Sequence, residues 1–346
     1  MRVLFLVLSF FLAGAAAAQT PAPADNVKDQ QQRANTQPGN NAPFYREVRS
    51  GKAEYTTSSV QGRESGVLVQ SAGDTWRRIR NGPVMFYGGA LVVLVLAAIL
   101  GLYAWKGPVK LHERPSGRLL RRFSALEMTV HWTTAISFCV LGISGLVMFF
   151  GKHILLPIVG YTLFGWLTYA CKNLHNFVAP LFILSVVLMV LMWFRDNLPR
   201  AYDWQWFGKA WAFFARGAHI PSGRFNAGEK AWFWGGVIGL SVIVIYSGLV
   251  LLFPNFDQTR AIMQDAWVWH ASAALIYISI SFGHIYLGTI GLDGAYQAMR
   301  TGSVDETWAK EHHQYWYEEM KAKGQEIPRG GAVPAGAPHM KEKSQP

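Results

Sequence analysis

Long apolar runs alternate with short polar connectors along this chain. Five runs carry no formal charge, and each exceeds the roughly 20 helical residues that cross the hydrocarbon core of a bilayer. These runs, called spans one to five, cover residues 84–105, 128–151, 173–194, 231–254 and 266–292. The pattern predicts an all-α integral membrane protein, built as a bundle of transmembrane helices.

A further apolar segment, residues 154–171, is interrupted by Pro157, Gly160 and Gly165. If it crossed the membrane, every later span would reverse direction, and the basic connector after span three would face outward. We therefore predict that this segment does not cross.

The two ends of the chain are predicted to differ from the spans. Residues 1–18 have a basic start, a short apolar stretch and an A-x-A site, the pattern of a secretory signal peptide. Residues 19–82 are expected to form a polar, partly disordered periplasmic leader with a short hairpin after residue 43. Residues 83–105 then form an extra transmembrane helix and residues 106–292 a four-span domain. Residues 293–346 are predicted to form a tail with one amphipathic helix and a disordered end.

Composition and charge agree with a membrane protein. Of the 346 residues 51% are hydrophobic and 15% are charged, against about 25% charged in an ordinary soluble domain. The net charge of +11 gathers in connectors beside the spans, as topogenic charge does. This distribution favours membrane lipid and argues against nucleic acid as a partner.

The positive-inside rule predicts the orientation. Connectors one and three are basic and are placed in the cytoplasm, so the mature N-terminus is periplasmic and the C-terminus cytoplasmic. Arg77, Arg78 and Arg80 lie on the opposite side, but the signal peptide is expected to overrule them. We predict a multi-pass protein of a bacterial inner membrane.

Four histidines lie inside predicted spans: His131, His175, His270 and His284. His270 and His284 are fourteen residues apart, so on a helix they share nearly one face and stand about 21 Å apart along the axis. Depth in the membrane pairs His175 with His270 near the outer surface, and His131 with His284 near the inner surface. Buried polar groups of this kind are costly in a bilayer and are functional by default.

Two facing imidazoles form a bis-histidine site, for which haem iron is a suitable occupant. Zinc fits less well, because it takes four protein ligands or three with an open position. A single histidine in a span often only forms a hydrogen bond to a neighbouring helix. Four histidines at paired depths favour metal ligation instead. Cys139 and Cys171 are too few to hold an iron–sulfur cluster.

The other histidines are expected to be solvated or interfacial: His112, His153, His219, His312, His313 and His339. His312 and His313 are disfavoured as a metal pair, because consecutive helical residues face different directions.

Longer motifs surround the intramembrane histidines: RRFSALEMTVHW, NLHNFVAPLFI, RFNAGEKAWFW, VWHASAALIYISISFGHIYLGTIGL and, in the tail, WAKEHHQYWYEE. Over roughly residues 120–320 the chain resembles the cytochrome b, or gamma, subunit of membrane-bound respiratory formate dehydrogenases. That subunit belongs to a wider family of di-haem cytochromes b that also serves nickel–iron hydrogenases.

The resemblance implies a four-helix di-haem core plus one extra N-terminal span. It implies two haem b groups, with His175 and His270 as axial ligands of the outer haem iron and His131 and His284 of the inner.

It also implies a quinone site near the inner haem, in which Asn226 and Gly228 take part. An N-cap and turn before span four explain Asn226 equally well. Family members often carry a basic residue where this chain has Met128, and that residue could contact a haem propionate. In this chain Arg121, Arg122 or Lys230 could make that contact instead.

The function implied is that of an electron-transfer subunit of an oxidoreductase complex, with no catalytic residue of its own. An iron–sulfur beta subunit and a molybdenum or tungsten alpha subunit are the implied partners. Formate would be oxidised on the alpha subunit, and electrons would cross this chain to quinone. One alternative is the cytochrome b of a quinone-linked nickel–iron hydrogenase or of another periplasmic oxidoreductase. A non-redox alternative is a transporter or membrane anchor.

Overall fold

The fold is described from a computed structural model, which covers residues 72–216, 218–254, 256 and 258–323. The predicted signal peptide, the hairpin of the leader and the end of the tail lie outside these residues. Among the described residues, five helices are long and apolar enough to cross a membrane. The predicted all-α membrane architecture is confirmed.

The helices are numbered in chain order. The membrane-spanning ones are α1 Gly73–Lys106, α2 Ala125–Ile154, α3 Leu156–Trp193, α5 Ala227–Leu252 and α6 Arg260–Gly291. Three of them include π-helical stretches, at Arg80–Val84, Phe233–Leu240 and Leu287–Gly291. The shorter elements are β1 Leu119–Arg121, α4 Ala201–Arg216, α7 Ala295–Thr301, β2 Ser303–Asp305, α8 Glu306–His312 and α9 Gln314–Ala322.

Helix α1 begins at Gly73, well before the predicted start of the first span at residue 83. It packs along α6 through edge-to-face aromatic contacts. Trp76 lies 5.8 Å from Trp267, and Tyr103 lies 6.3 Å from Tyr286, between ring centroids. Contacts near both ends of α1 therefore fall on the same neighbouring helix.

Helix α3 contains the apolar segment whose role was ambiguous in the sequence. Gly160 interrupts it with φ 76° and ψ 171°, a conformation that favours glycine, and the helix then continues to Trp193. At 1.5 Å per residue the part after Gly160 is about 50 Å long, more than the roughly 30 Å of a hydrocarbon core. Residues 156–171 thus belong to the same helix as span three and do not form a separate helix.

Small hydroxyl side chains line the contacts among the core helices. Ser137, Ser144, Ser241, Ser247 and Ser279 are all at most 2% exposed. Ser137, Ser144, Ser247 and Ser279 donate to the carbonyl of the residue four positions earlier. Small residues with satisfied hydroxyls let transmembrane helices approach closely without an unpaired polar atom.

One end of the bundle is closed by a layer that we call the connector cap, formed by residues 107–124, 218–226 and 292–323. Its centre is the antiparallel pair of β1 and β2, in which Leu120 faces Val304. The first connector, the third connector and the tail thus meet at one end, as the two crossings that separate each from the next require.

The tail differs from the prediction of one amphipathic helix. It forms two short helices, α8 and α9, separated at His313, where φ is −140° and ψ 49°. Trp308, Ala309 and His313 are each at most 2% exposed. His313 donates from Nδ1 to the carbonyl of Gly223 at 2.7 Å.

The expectation that His312 and His313 are solvated was therefore wrong. Burial lowers the pKa of His312 to about 4 and that of His313 well below its usual range. Both imidazoles are therefore neutral at pH 7.

Candidate functional site

The outer pair of histidines joins α3 to α6. The ring centroids of His175 and His270 are 6.2 Å apart. His175 Nδ1 lies 2.9 Å from the hydroxyl of Ser144 on α2, and His270 Nδ1 donates to the carbonyl of Val244 on α5 at 3.0 Å. All four core helices therefore position this pair.

The hydrogen bond from His270 Nδ1 to a carbonyl fixes which ring nitrogen carries the proton. Nε2 of His270 is left with its lone pair, the arrangement found in metal-ligating histidines. Gly248 allows the ring to sit against α5, because a Cβ there would lie only 3.1 Å from His270 Cε1. A side chain at position 248 would therefore require the ring of His270 to shift by a few tenths of an ångström.

The inner pair joins α2 to α6 beside the connector cap. The ring centroids of His131 and His284 are also 6.2 Å apart. Trp232 stacks on His284 at 5.1 Å with an interplanar angle of 15°, and Trp193 lies 6.3 Å from His131. Each imidazole of the pair therefore has a tryptophan ring beside it.

The residues of both pairs fit a haem, which the two histidines of each pair would hold. Two metal–nitrogen bonds of about 2 Å, plus roughly one ångström from each nitrogen to its ring centre, require centroids about 6 Å apart. His131 Nδ1 is buried with no hydrogen-bond partner among the described residues. This ring nitrogen is therefore available to a group that the chain itself does not supply. The donor set of neutral imidazoles is one that haem iron accepts.

Next to the inner pair, two arginines link the start of α2 to the start of α5. Arg224 donates to Glu127 and Asp196, both at 2.6 Å. Arg122 donates to the carbonyl of Arg224 at 2.6 Å and to Glu229 at 3.1 Å. Burial lowers the pKa of the Arg122 guanidinium, and Glu229 opposes that shift.

Asn226 and Gly228 lie in the turn before α5. Asn226 is the N-cap of the helix and forms a reciprocal capping box with Glu229, in which each side chain accepts the other's backbone N–H at 2.9 and 2.8 Å. A Cβ on Gly228 would lie 2.9 Å from the ring of Trp206 on α4. The N-cap role of Asn226 is thus realised, and a role toward quinone remains a prediction.

The residues named as substitutes for a base at Met128 occupy different positions. Met128 packs close to Gly302 in the cap. Lys230 forms a buried ion pair with Asp203 on α4 at 2.8 Å. Arg122 is paired with Glu229, whereas the side chain of Arg121 is exposed.

Sequence reasoning missed Glu127 and Glu229, the acidic partners that hold the arginines beside the inner pair. Glu127 also accepts from the indole of Trp193 at 2.8 Å, which positions the ring facing His131. A signal was present, because Ser124 and Asn226 each precede a glutamate by three residues, the pattern of a capping box.

Comparison with known proteins places this arrangement in a family. Residues 122–302, more than half of the chain, match the family described as prokaryotic cytochrome b561. The chain belongs to the prokaryotic cytochrome b561 family. Membership implies haem b, and all four intramembrane histidines lie within the matched residues of this cytochrome.

Curated relatives of the cytochrome are subunits of formate dehydrogenases. It is 30% identical over 203 residues to the formate dehydrogenase cytochrome b556(fdo) subunit of Escherichia coli K12, covering 58% of this chain and 92% of the relative. The nitrate-inducible cytochrome b556(Fdn) subunit of the same organism is 24% identical over 214 residues, with 59% and 93% covered. The formate dehydrogenase cytochrome b556 subunit of Haemophilus influenzae Rd is 24% identical over 213 residues, with 58% and 83% covered.

Proposed function

We propose that this cytochrome is the membrane subunit of a formate dehydrogenase complex and carries electrons across the membrane to quinone. The observation that carries the proposal is the presence of two histidine pairs with equal 6.2 Å ring separations, each contributing one residue to α6. Fourteen residues of helix separate the two pairs by about 21 Å along the axis. A proton relay or an interhelical hydrogen bond does not require this repetition.

His175 and His270 would hold one haem b, and His131 and His284 a second. When bound, these groups supply one-electron transfer between the two ends of the bundle. The chain supplies neutral imidazoles, fixed in orientation by Ser144 and Val244 at the outer pair.

The quinone would be bound at the end of the bundle nearest the connector cap. Asn226 and Gly228 lie at the start of α5, and the same helix places Trp232 against the inner pair. Because Asn226 Oδ1 already accepts from Glu229, its Nδ2 is the group left to donate to a quinone oxygen. Backbone N–H groups near Gly228 are a second source of donors.

The partners are proposed from the relatives. An iron–sulfur subunit would dock at the periplasmic end, beside the outer pair, and a molybdenum or tungsten subunit would oxidise formate there. Quinone would take up protons at the cytoplasmic end, where the basic connectors lie. With this orientation electron transfer moves negative charge inward and contributes to the membrane potential.

Difference spectra of the purified full-length chain, reduced with dithionite, together with haem quantification test the cofactor. Two haem b per chain are expected, and fewer than two would refute the paired assignment. Reduction of the purified complex by formate supports the proposed partner. Reduction by hydrogen and not by formate would instead place the subunit in a hydrogenase.

The His284→Ala variant separates the two pairs. It is expected to lose the inner haem and quinone reduction, while formate still reduces the haem at the outer pair. His153→Ala, at the exposed end of α2, is the matched control and should retain both. Loss of both haems from a folded His284→Ala variant would contradict two separate sites.

A further inference from the structure

A second group of metal-ligating side chains lies in the connector cap, apart from the intramembrane histidines. His112 comes from the first connector, His219 from the third and Glu311 from α8 in the tail. One ligand atom of each lies within 4.8 Å of the others. His112 and Glu311 are outside the residues matched by the family, 122–302.

The distances in this cluster suit a shared ion better than direct hydrogen bonds. His112 Nδ1 and His219 Nε2 each lie 3.6 Å from Glu311 Oε2. A hydrogen bond from nitrogen to oxygen measures about 2.7–3.2 Å. In a tetrahedral site with bonds of about 2.1 Å, neighbouring ligand atoms are about 3.4 Å apart.

The orientation of His219 also points to a cation. Its Nδ1 donates to the backbone carbonyl of Glu311 at 3.0 Å, so the neutral ring presents the lone pair of Nε2 to the carboxylate of the same residue. Two acceptors facing each other need a proton or a metal ion between them. A carbonyl that accepts from the distal ring nitrogen is the usual partner of a metal-bound histidine.

The carboxylate of Glu311 is held in place before any ion arrives. It accepts from the backbone N–H of His112 at 3.0 Å and of Glu113 at 2.9 Å. Burial alone would raise its pKa, but these hydrogen bonds hold the pKa below its usual value. The carboxylate is therefore ionised at neutral pH.

The cluster is accessible from solvent on one side. The side chain of Glu311 is 7% exposed, whereas those of His112 and His219 are 52% and 39% exposed. A buried anionic ligand beneath two accessible imidazoles leaves an entry route and one position for water. Two histidines and one glutamate form a known ligand set for zinc with an open fourth position.

We propose that His112, His219 and Glu311 bind one divalent ion of the zinc class, with water as a fourth ligand. The ion joins the first connector, the third connector and the tail, and so stabilises the connector cap beside the proposed quinone end. Its binding is independent of the four intramembrane histidines.

Zinc titration of the full-length chain tests the proposal. The protein is purified in detergent without a polyhistidine tag, treated with a chelator and equilibrated with zinc sulfate at micromolar free metal. Zinc and haem per chain are then measured by mass spectrometry and absorption. Cobalt chloride replaces zinc in a parallel sample, because tetrahedral cobalt gives an intense visible absorption.

The native chain and the control His153→Ala are expected to bind about one zinc per chain and to give the cobalt spectrum. His219→Ala and Glu311→Gln are expected to bind zinc at least about tenfold more weakly, with unchanged haem content. If Glu311→Gln does not fold, His219→Ala decides, because its side chain is partly exposed. Equal zinc binding in all four proteins, or none in the native chain, would overturn the proposal and leave a protonated histidine–glutamate cluster.

Discussion

Two glycines lie beside the outer histidine pair, Gly248 next to His270 and Gly145 next to His175, and they differ in how much space a side chain would have. A Cβ on Gly248 would lie 3.1 Å from His270 Cε1 and 3.4 Å from its Nδ1, whereas a Cβ on Gly145 would lie 3.6 Å from His175 Cε1. The 3.1 Å distance is a tight contact that the imidazole must relieve by moving a few tenths of an ångström, whereas 3.6 Å is ordinary van der Waals contact. Alanine substitutions at these two positions therefore form a matched pair.

The magnitudes follow from the two effects of adding a methyl group. Alanine in a helix is favoured over glycine by about 0.8–1 kcal/mol, and this gain applies to both variants. Overpacking a tight contact costs about 1–3 kcal/mol, and this cost applies to Gly248→Ala. The 3.0 Å hydrogen bond from His270 Nδ1 to the carbonyl of Val244 resists movement of the imidazole away from the added methyl group.

Because the helix gain is common to both variants, we expect Gly248→Ala to weaken cofactor retention at the outer pair by about 1–3 kcal/mol relative to Gly145→Ala, roughly five- to 150-fold. Gly145→Ala should retain it as the native chain does. The assay is the rate of haem loss from the purified chain to excess apomyoglobin, with the inner pair as an internal reference. Equal retention in both variants, or faster loss from Gly145→Ala, would refute the reasoning.

Two further predictions concern the inner pair and the tail. A Cβ on Gly236 would lie 2.5 Å from the ring of Trp232, whereas a Cβ on Gly235 would have no neighbour within 4 Å among the described residues. Gly236→Ala should therefore displace the tryptophan and shift the absorption spectrum of the inner haem. Gly235→Ala should leave that spectrum unchanged. Glu306 accepts from the hydroxyl of Tyr317 at 2.7 Å, and this bond is the main cause that lowers its pKa below 4.5. Its contribution to tail docking is therefore complete above pH 4.5 and is lost as the pH falls through the lowered value. Tryptophan fluorescence between pH 7 and 3 should show this acid transition and its flattening in Glu306→Gln, and an identical profile in both proteins would contradict it.

The membrane architecture was predictable because bilayer thickness sets the length of an apolar run. The pairing of His131 with His284 and of His175 with His270 followed from helical rise and alternating span direction. Both are local or periodic properties of the chain, and the structure places each pair of rings together. The assignment of haem ligands and of Asn226 and Gly228 to quinone remains a prediction.

The connector cap was not predictable in the same way. The tail pattern indicated a helix with one apolar face, but burial of His313 depends on the carbonyl of Gly223, which lies 90 positions away. Glu311 likewise gains its role from the backbone of His112, 199 positions away. Sequence periodicity reveals contacts within one helix or strand. It does not reveal contacts between elements that are far apart in the sequence.

Because α1 packs along α6, the first transmembrane helix cannot reach its final packing until the last one has been synthesised. The first transmembrane helix enters the bilayer roughly 150 residues before its main neighbour has been synthesised. At a translation rate of about 5–20 residues per second, α1 waits about 8–30 s without the surface formed by Trp267 and Tyr286. During that interval an insertase or the lipid itself must accommodate the face of α1 that later packs on α6.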